Sequence, residues 1–182
     1  MSALTRPGQT GEIAGPKKAI LFPNPSVAAT MIKKAKRPLF VVGSKSVEIN
    51  TDDGTLLDYV IKISKEIELT VAATAHLIGE FKRKEAKNVY SIPFMNLGDR
   101  LRDKNWEGFD GKGPYDLVMF AGAPYYMEWL VLSGLKNFHQ ELRTMSLGSL
   151  YQPNASWSMG TVNHSLYVKN LNEIIEKLKE EN

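Results

Sequence analysis

Two short turns hold most of the chemistry that the residue types of this chain offer. Gly43-Ser44-Lys45-Ser46 follows one apolar run, and Gly122-Ala123-Pro124-Tyr125-Tyr126 follows another. Backbone amides at a glycine turn, hydroxyls and a lysine suit a phosphate, and neighbouring tyrosines suit a flat ring system. Gly43, Ser44, Lys45, Gly122, Ala123, Pro124 and Tyr125 are therefore the candidate cofactor-binding residues. The sequence contains neither G-x-G-x-x-G nor G-x-x-x-x-G-K-[ST], so the simpler reading of both glycines is an ordinary strand-to-helix turn.

Other chemistry is thin. With no cysteine, this chain supplies no disulfide, no thiolate for an iron–sulfur cluster and no cysteine nucleophile. His76, His139 and His164 lie far apart with no second ligand at metal spacing, and no metal site is expected. His76 could act as an acid or base, or be structural. Asp52 and Asp53 read as helix caps, Asp99, Asp103 and Asp110 as solvated residues, and no catalytic residue is proposed. Trp106 to Gly113 reads as an exposed, glycine-shaped aromatic loop, and Tyr151, Pro153 and Trp157 fall in a second long surface loop over 148–164. Each is either a partner-binding surface or a lid over this chain's own core.

The turns need strands before them and helices after them, and the pattern supplies both. Pro38 to Val42 is a short run, apolar throughout and partly β-branched, as expected of a strand buried on both faces. Further strands are expected at Leu69–Ala73, Asn88–Ile92, Asp116–Ala121 and Arg143–Leu147. Helices should start at Asn24-Pro25, after Asp53, near His76, near Leu97, after Pro124 and after His164. On the last helix, Lys169, Glu173 and Lys177 should pair outward. Alternating strands and amphipathic helices imply an α/β fold, a three-layer sandwich around a Rossmann-like parallel sheet. With the five strands numbered along the chain, an order of 3-2-1-4-5 would set the Gly43 and Gly122 turns side by side at the switch point.

Residues 1–18 read as an N-terminal arm and 19–182 as a single Rossmann-like domain, within the size that encloses one core. Lys and Arg exceed Asp and Glu by 3, too little to point to nucleic acid. No apolar segment approaches a membrane span and no secretory pattern opens the sequence, so a cytoplasmic protein without a membrane partner is expected.

Longer stretches carry a resemblance. Gln9 to Ala19, then Ala28 to Ser44 with its Lys36-Arg37-Pro38-Leu39, then Met95-Asn96-Leu97, Trp106-Glu107-Gly108-Phe109-Asp110-Gly111-Lys112-Gly113, Tyr115-Asp116-Leu117-Val118 and Tyr125-Tyr126 resemble the epsilon subunit of the archaeal acetyl-CoA decarbonylase/synthase complex. The resemblance implies a non-catalytic partner of the nickel–iron–sulfur carbon monoxide dehydrogenase alpha subunit in an alpha-two epsilon-two component. It places that component in a larger assembly that reversibly cleaves or makes acetyl-CoA and interconverts CO and CO2 in methanogens and related archaea. The nickel and iron–sulfur clusters are then expected in the alpha subunit. The fold is expected to look like the NAD/FAD-binding domain found in the middle of thiamine-diphosphate enzymes. The alternative role is an FAD- or nucleotide-binding electron-transfer subunit using the switch-point crevice, and a homo-oligomer of the isolated chain is a further state to test for.

Overall fold

The computed structural model of the chain describes residues 15, 17–74 and 76–180. The expected arm falls mostly outside the described residues. The Ala19 N–H donates to the Pro153 carbonyl (2.9 Å), and its carbonyl accepts from the Tyr151 hydroxyl (2.8 Å).

In chain order the elements are β1 (Ile20–Leu21), α1 (Pro25–Lys34), β2 (Pro38–Val42), a 3-10 turn (Ser44–Val47), a hairpin of β3 (Asn50–Thr51) and β4 (Gly54–Thr55), and α2 (Leu56–Glu66). There follow β5 (Thr70–Ala73), α3 (Leu77–Arg83), β6 (Val89–Ser91), α4 (Phe94–Arg102), β7 (Leu117–Ala121), α5 (Tyr125–Phe138), β8 (Arg143–Ser146), β9 (Trp157–Ser158) and α6 (His164–Lys179). The main sheet runs β6-β5-β2-β7-β8-β9-β1, with parallel pairing throughout. The supposed five-strand order is its central part, and β9 and β1 extend one edge.

Buried on both faces, β2 sits between β5 and β7, with Phe40 opposite Val71 on one side and Met119 on the other. Successive side chains alternate between faces. Phe40 and Val42 pack with residues of α1, α2, α3 and α6, and Leu39 and Val41 with residues of α4 and α5. The chain therefore changes faces after β6, and this reversal makes β2 and β7 the switch-point strands.

Local chemistry fixes the helix starts. Asn24 Oδ1 accepts the Val27 N–H (3.2 Å) in front of Pro25, and Asn163 Oδ1 accepts the Leu166 N–H (2.9 Å). The expected caps Asp52 and Asp53 lie instead in the β3–β4 hairpin region, and α2 starts later, where Asp58 Oδ2 reaches back to the Thr55 N–H (2.9 Å). The 148–164 segment is not a surface loop either. Tyr151 to Ala155 are buried, and Ser158 Oγ accepts the Gln152 N–H (3.1 Å), folding the segment tightly enough for β9 to join the sheet. On α6 the expected outward pairs are replaced: Glu173 accepts the Ser26 hydroxyl (3.1 Å), and Lys177 pairs with Glu180 (2.5 Å).

Candidate functional site

At the switch point the two expected turns meet, and they meet backbone to backbone. The Gly43 N–H donates to Ala121 O (2.9 Å) and the Lys45 N–H to Gly122 O (2.8 Å). A Cβ on Gly43 would stand 2.2 Å from Ala123 Cα, and one on Gly122, whose φ is +70°, would stand 2.9 Å from Ser46. Both glycines therefore permit close approach, and Gly122 also supplies a left-handed turn. Two amides that a phosphate would use are given to carbonyls, and the turns themselves close the gap between them. Ser44, Ala123, Pro124 and Tyr125 are half-buried around the contact and Lys45 is exposed. The Tyr125 hydroxyl donates to Tyr151 O (3.2 Å) and its carbonyl accepts from the Gln152 side chain (3.0 Å), so this ring braces the following loop.

Beneath the turns lies a polar group that motif reading passes over. Glu128, in the first turn of α5, is buried and accepts the Ser146 hydroxyl at the end of β8 (2.7 Å). Burial pushes its carboxyl up to about 7, and the Ser146 bond only partly offsets that. The sequence did carry the signal: positions 128, 131, 132 and 135 share one helix face, and the other three are the apolar Val131, Leu132 and Leu135.

At the opposite end of the sheet, the Trp106–Gly113 loop folds back as a lid. Phe109 stacks on Tyr90 (4.7 Å) and meets Trp106 edge-on (5.1 Å), and Trp106 meets Tyr115 (5.7 Å). Arg37 lies over the Tyr115 ring (5.2 Å) and pairs with Asp110 (2.6 Å). That hydrogen bond holds the Asp110 carboxyl below the usual carboxylate range, so Asp110 is a latch for the lid rather than a solvated bystander. Trp157 likewise turns inward and stacks on Phe22 (5.6 Å). Of the two readings of the aromatic segments, the lid describes their rings.

Exposed apolar side chains gather elsewhere. Tyr126, Leu130 and Phe138 stand outward on α5, Tyr126 and Phe138 each two-thirds exposed. With Gly134 they recur every four residues, a stripe winding slowly around the helix. Arg102 of α4 runs across Gly134 and stacks on Phe138 (5.7 Å). Met95, also exposed, is seven residues before Arg102 and so on the same face of α4. Together α4 and α5 present one outward apolar surface.

The remaining candidates lie apart from the switch point. His76 is exposed at the start of α3, and His139 is buried with Nδ1 2.7 Å from Leu101 O. In the Lys82-Arg83-Lys84 cluster, Arg83 pairs with Glu80 (2.7 Å) and Lys84 with Asp58 (2.7 Å). Among the described residues no helix is long and apolar enough to cross a membrane.

Comparison with known proteins adds what geometry alone does not. The family described as "CO dehydrogenase beta subunit/acetyl-CoA synthase epsilon subunit" matches residues 2–175. The acetyl-CoA decarbonylase/synthase complex subunit epsilon of Methanothrix soehngenii is 36% identical over 176 residues, covering 95% of this chain and 91% of that protein. Subunit epsilon 1 of Methanosarcina barkeri is 37% identical over 155 residues, 85% of this chain and 87% of its own length. Subunit epsilon of Methanothermobacter thermautotrophicus is 36% identical over 156 residues, 84% of each chain.

Proposed function

The chain belongs to the CO dehydrogenase beta subunit/acetyl-CoA synthase epsilon subunit family, and from that premise we propose that it is a non-catalytic, cytoplasmic subunit that binds and stabilises the nickel–iron–sulfur carbon monoxide dehydrogenase alpha subunit. In this reading two copies join two alpha subunits, and the assembly interconverts CO and CO2 and makes or cleaves acetyl-CoA. The metal clusters belong to the alpha subunit, since this chain has no thiolate to hold them. The observation that carries the docking role is the outward stripe Tyr126, Leu130 and Phe138 on α5, continued by Met95 on α4. Large apolar and aromatic side chains exposed together favour a protein partner, because covering each removes apolar area from water without ordering a flexible side chain.

The test is co-purification of the tagged chain with the alpha subunit, wild type against Leu130→Asp. Removing a leucine that the partner would cover and inserting a charge should weaken association by about 10- to 100-fold, with the circular dichroism melt unchanged. Undiminished capture by folded Leu130→Asp would move the interface off α5.

Flavin carriage is the second reading, together with the likeness to the NAD/FAD-binding domain of thiamine-diphosphate enzymes. In its favour are the half-buried Ser44 and Tyr125 and the exposed Lys45 around the switch point. Because the turns close on one another, a flavin would lie on their outer rim. Saturable quenching of FAD fluorescence by the purified chain would favour it, and an unchanged signal would leave the docking role alone.

A further inference from the structure

A cavity lies at the carboxyl end of the sheet, away from both the switch point and the α5 surface. It opens where the chain leaves β1 and β9, between the first turns of α1 and α6, and its volume is about 200 Å3. Phe22, Pro25, Ala28, Met159, Leu166 and Ile174 make its wall largely apolar. Asn24, Lys169 and Glu173 also line it but are more exposed, and one buried polar side chain breaks the wall. Asn170 of α6 is only 6% exposed, lines the cavity, and its side chain has no hydrogen-bond partner among the described residues. Its amide faces the cavity, so whatever fills that space, water or a guest, pairs with it.

The chemistry of the guest follows from the wall. A carboxamide presents both a donor and an acceptor, and a neutral amide matches both, whereas a carboxylate only accepts. The rim carries one charge of each sign, Lys169 and Glu173, so it does not select for either ion. A cavity of about 150 Å3 holds benzene, so this one admits a single ring and one small polar substituent. We infer that the cavity between α1 and α6 is a binding site for a small, largely apolar molecule bearing a neutral amide, which pairs with the Asn170 side chain.

The cavity brings its own reporter, because Phe22 in its wall stacks on Trp157 at 5.6 Å. The experiment titrates the 15N-labelled full chain with benzamide and, separately, with toluene, following the Asn170 side-chain amide and Trp157 fluorescence. Benzamide should bind saturably and more tightly than toluene. Asn170→Leu should weaken benzamide by about tenfold while sparing toluene, since it removes the hydrogen bonds and keeps the apolar wall. Ala28→Leu, which places bulk in the floor, should exclude both probes. The inference is overturned if benzamide produces no saturable shift in these residues, if folded Asn170→Leu loses both probes equally, or if folded Ala28→Leu binds benzamide as the wild type does.

Discussion

Replacing Glu128 by Gln should stabilise the protein at neutral and alkaline pH and remove part of its pH dependence. In the unfolded chain this carboxyl ionises near its ordinary 4.5, whereas in the folded protein it keeps its proton until about 7. Below 4.5 both states are protonated and the favourable contribution is whole. Between the two values the folded state holds the extra proton, so stability falls as pH rises, and above about 7 the loss is complete. The gap between the values corresponds to about 3 kcal/mol. Glutamine keeps an oxygen to accept the Ser146 hydroxyl now held at 2.7 Å, and it carries no charge at any pH. The facing groups on other elements are Ser146 of β8 and the Tyr167 phenol of α6, and burial raises that phenol far above neutral. Urea unfolding of both proteins at pH 5, 6, 7 and 8 supplies the difference, and titrations common to both cancel. The excess of the variant over the wild type should be smallest at pH 5 and should grow by about 2 to 3 kcal/mol by pH 8. A difference that does not vary with pH would refute the reasoning.

The two ends of the sheet make separate predictions. Gly43→Ala places a Cβ 2.2 Å from backbone at Ala123, where no rotamer change relieves the overlap, and should cost at least about 3 kcal/mol in urea unfolding. Arg37→Ala frees Asp110 and uncovers Tyr115, and should cost about 1 to 2 kcal/mol, with near-ultraviolet circular dichroism reporting loosening around Trp106.

Much of the architecture could be read from short-range pattern. The apolar run of β2, the crossover helices and the breaks at Gly43 and Gly122 marked the central elements, because each depends on residues close in sequence, and the order 3-2-1-4-5 supposed for them is the one observed. The edge was not legible. At two residues each, β1 and β9 are too short to show alternation, and they exist through bonds between distant segments, such as Tyr151 to Ala19. The two turns were correctly placed side by side, but that their backbones touch depends on how β2 and β7 register, and composition does not carry that. Arg37 and Asp110 are 73 positions apart, so their latch likewise appears only in three dimensions. Glu128 is the instructive exception, since helical periodicity alone marks it as an acid on a buried face.

The central claim is that this chain is a docking subunit. Its most direct test is the native mass of the purified chain mixed with the carbon monoxide dehydrogenase alpha subunit. A species of two chains with two alpha subunits, in which carbon monoxide oxidation survives heating longer than with alpha alone, is the expected result. Free chain beside an unaltered alpha subunit, at concentrations where the family's complexes assemble, would contradict it.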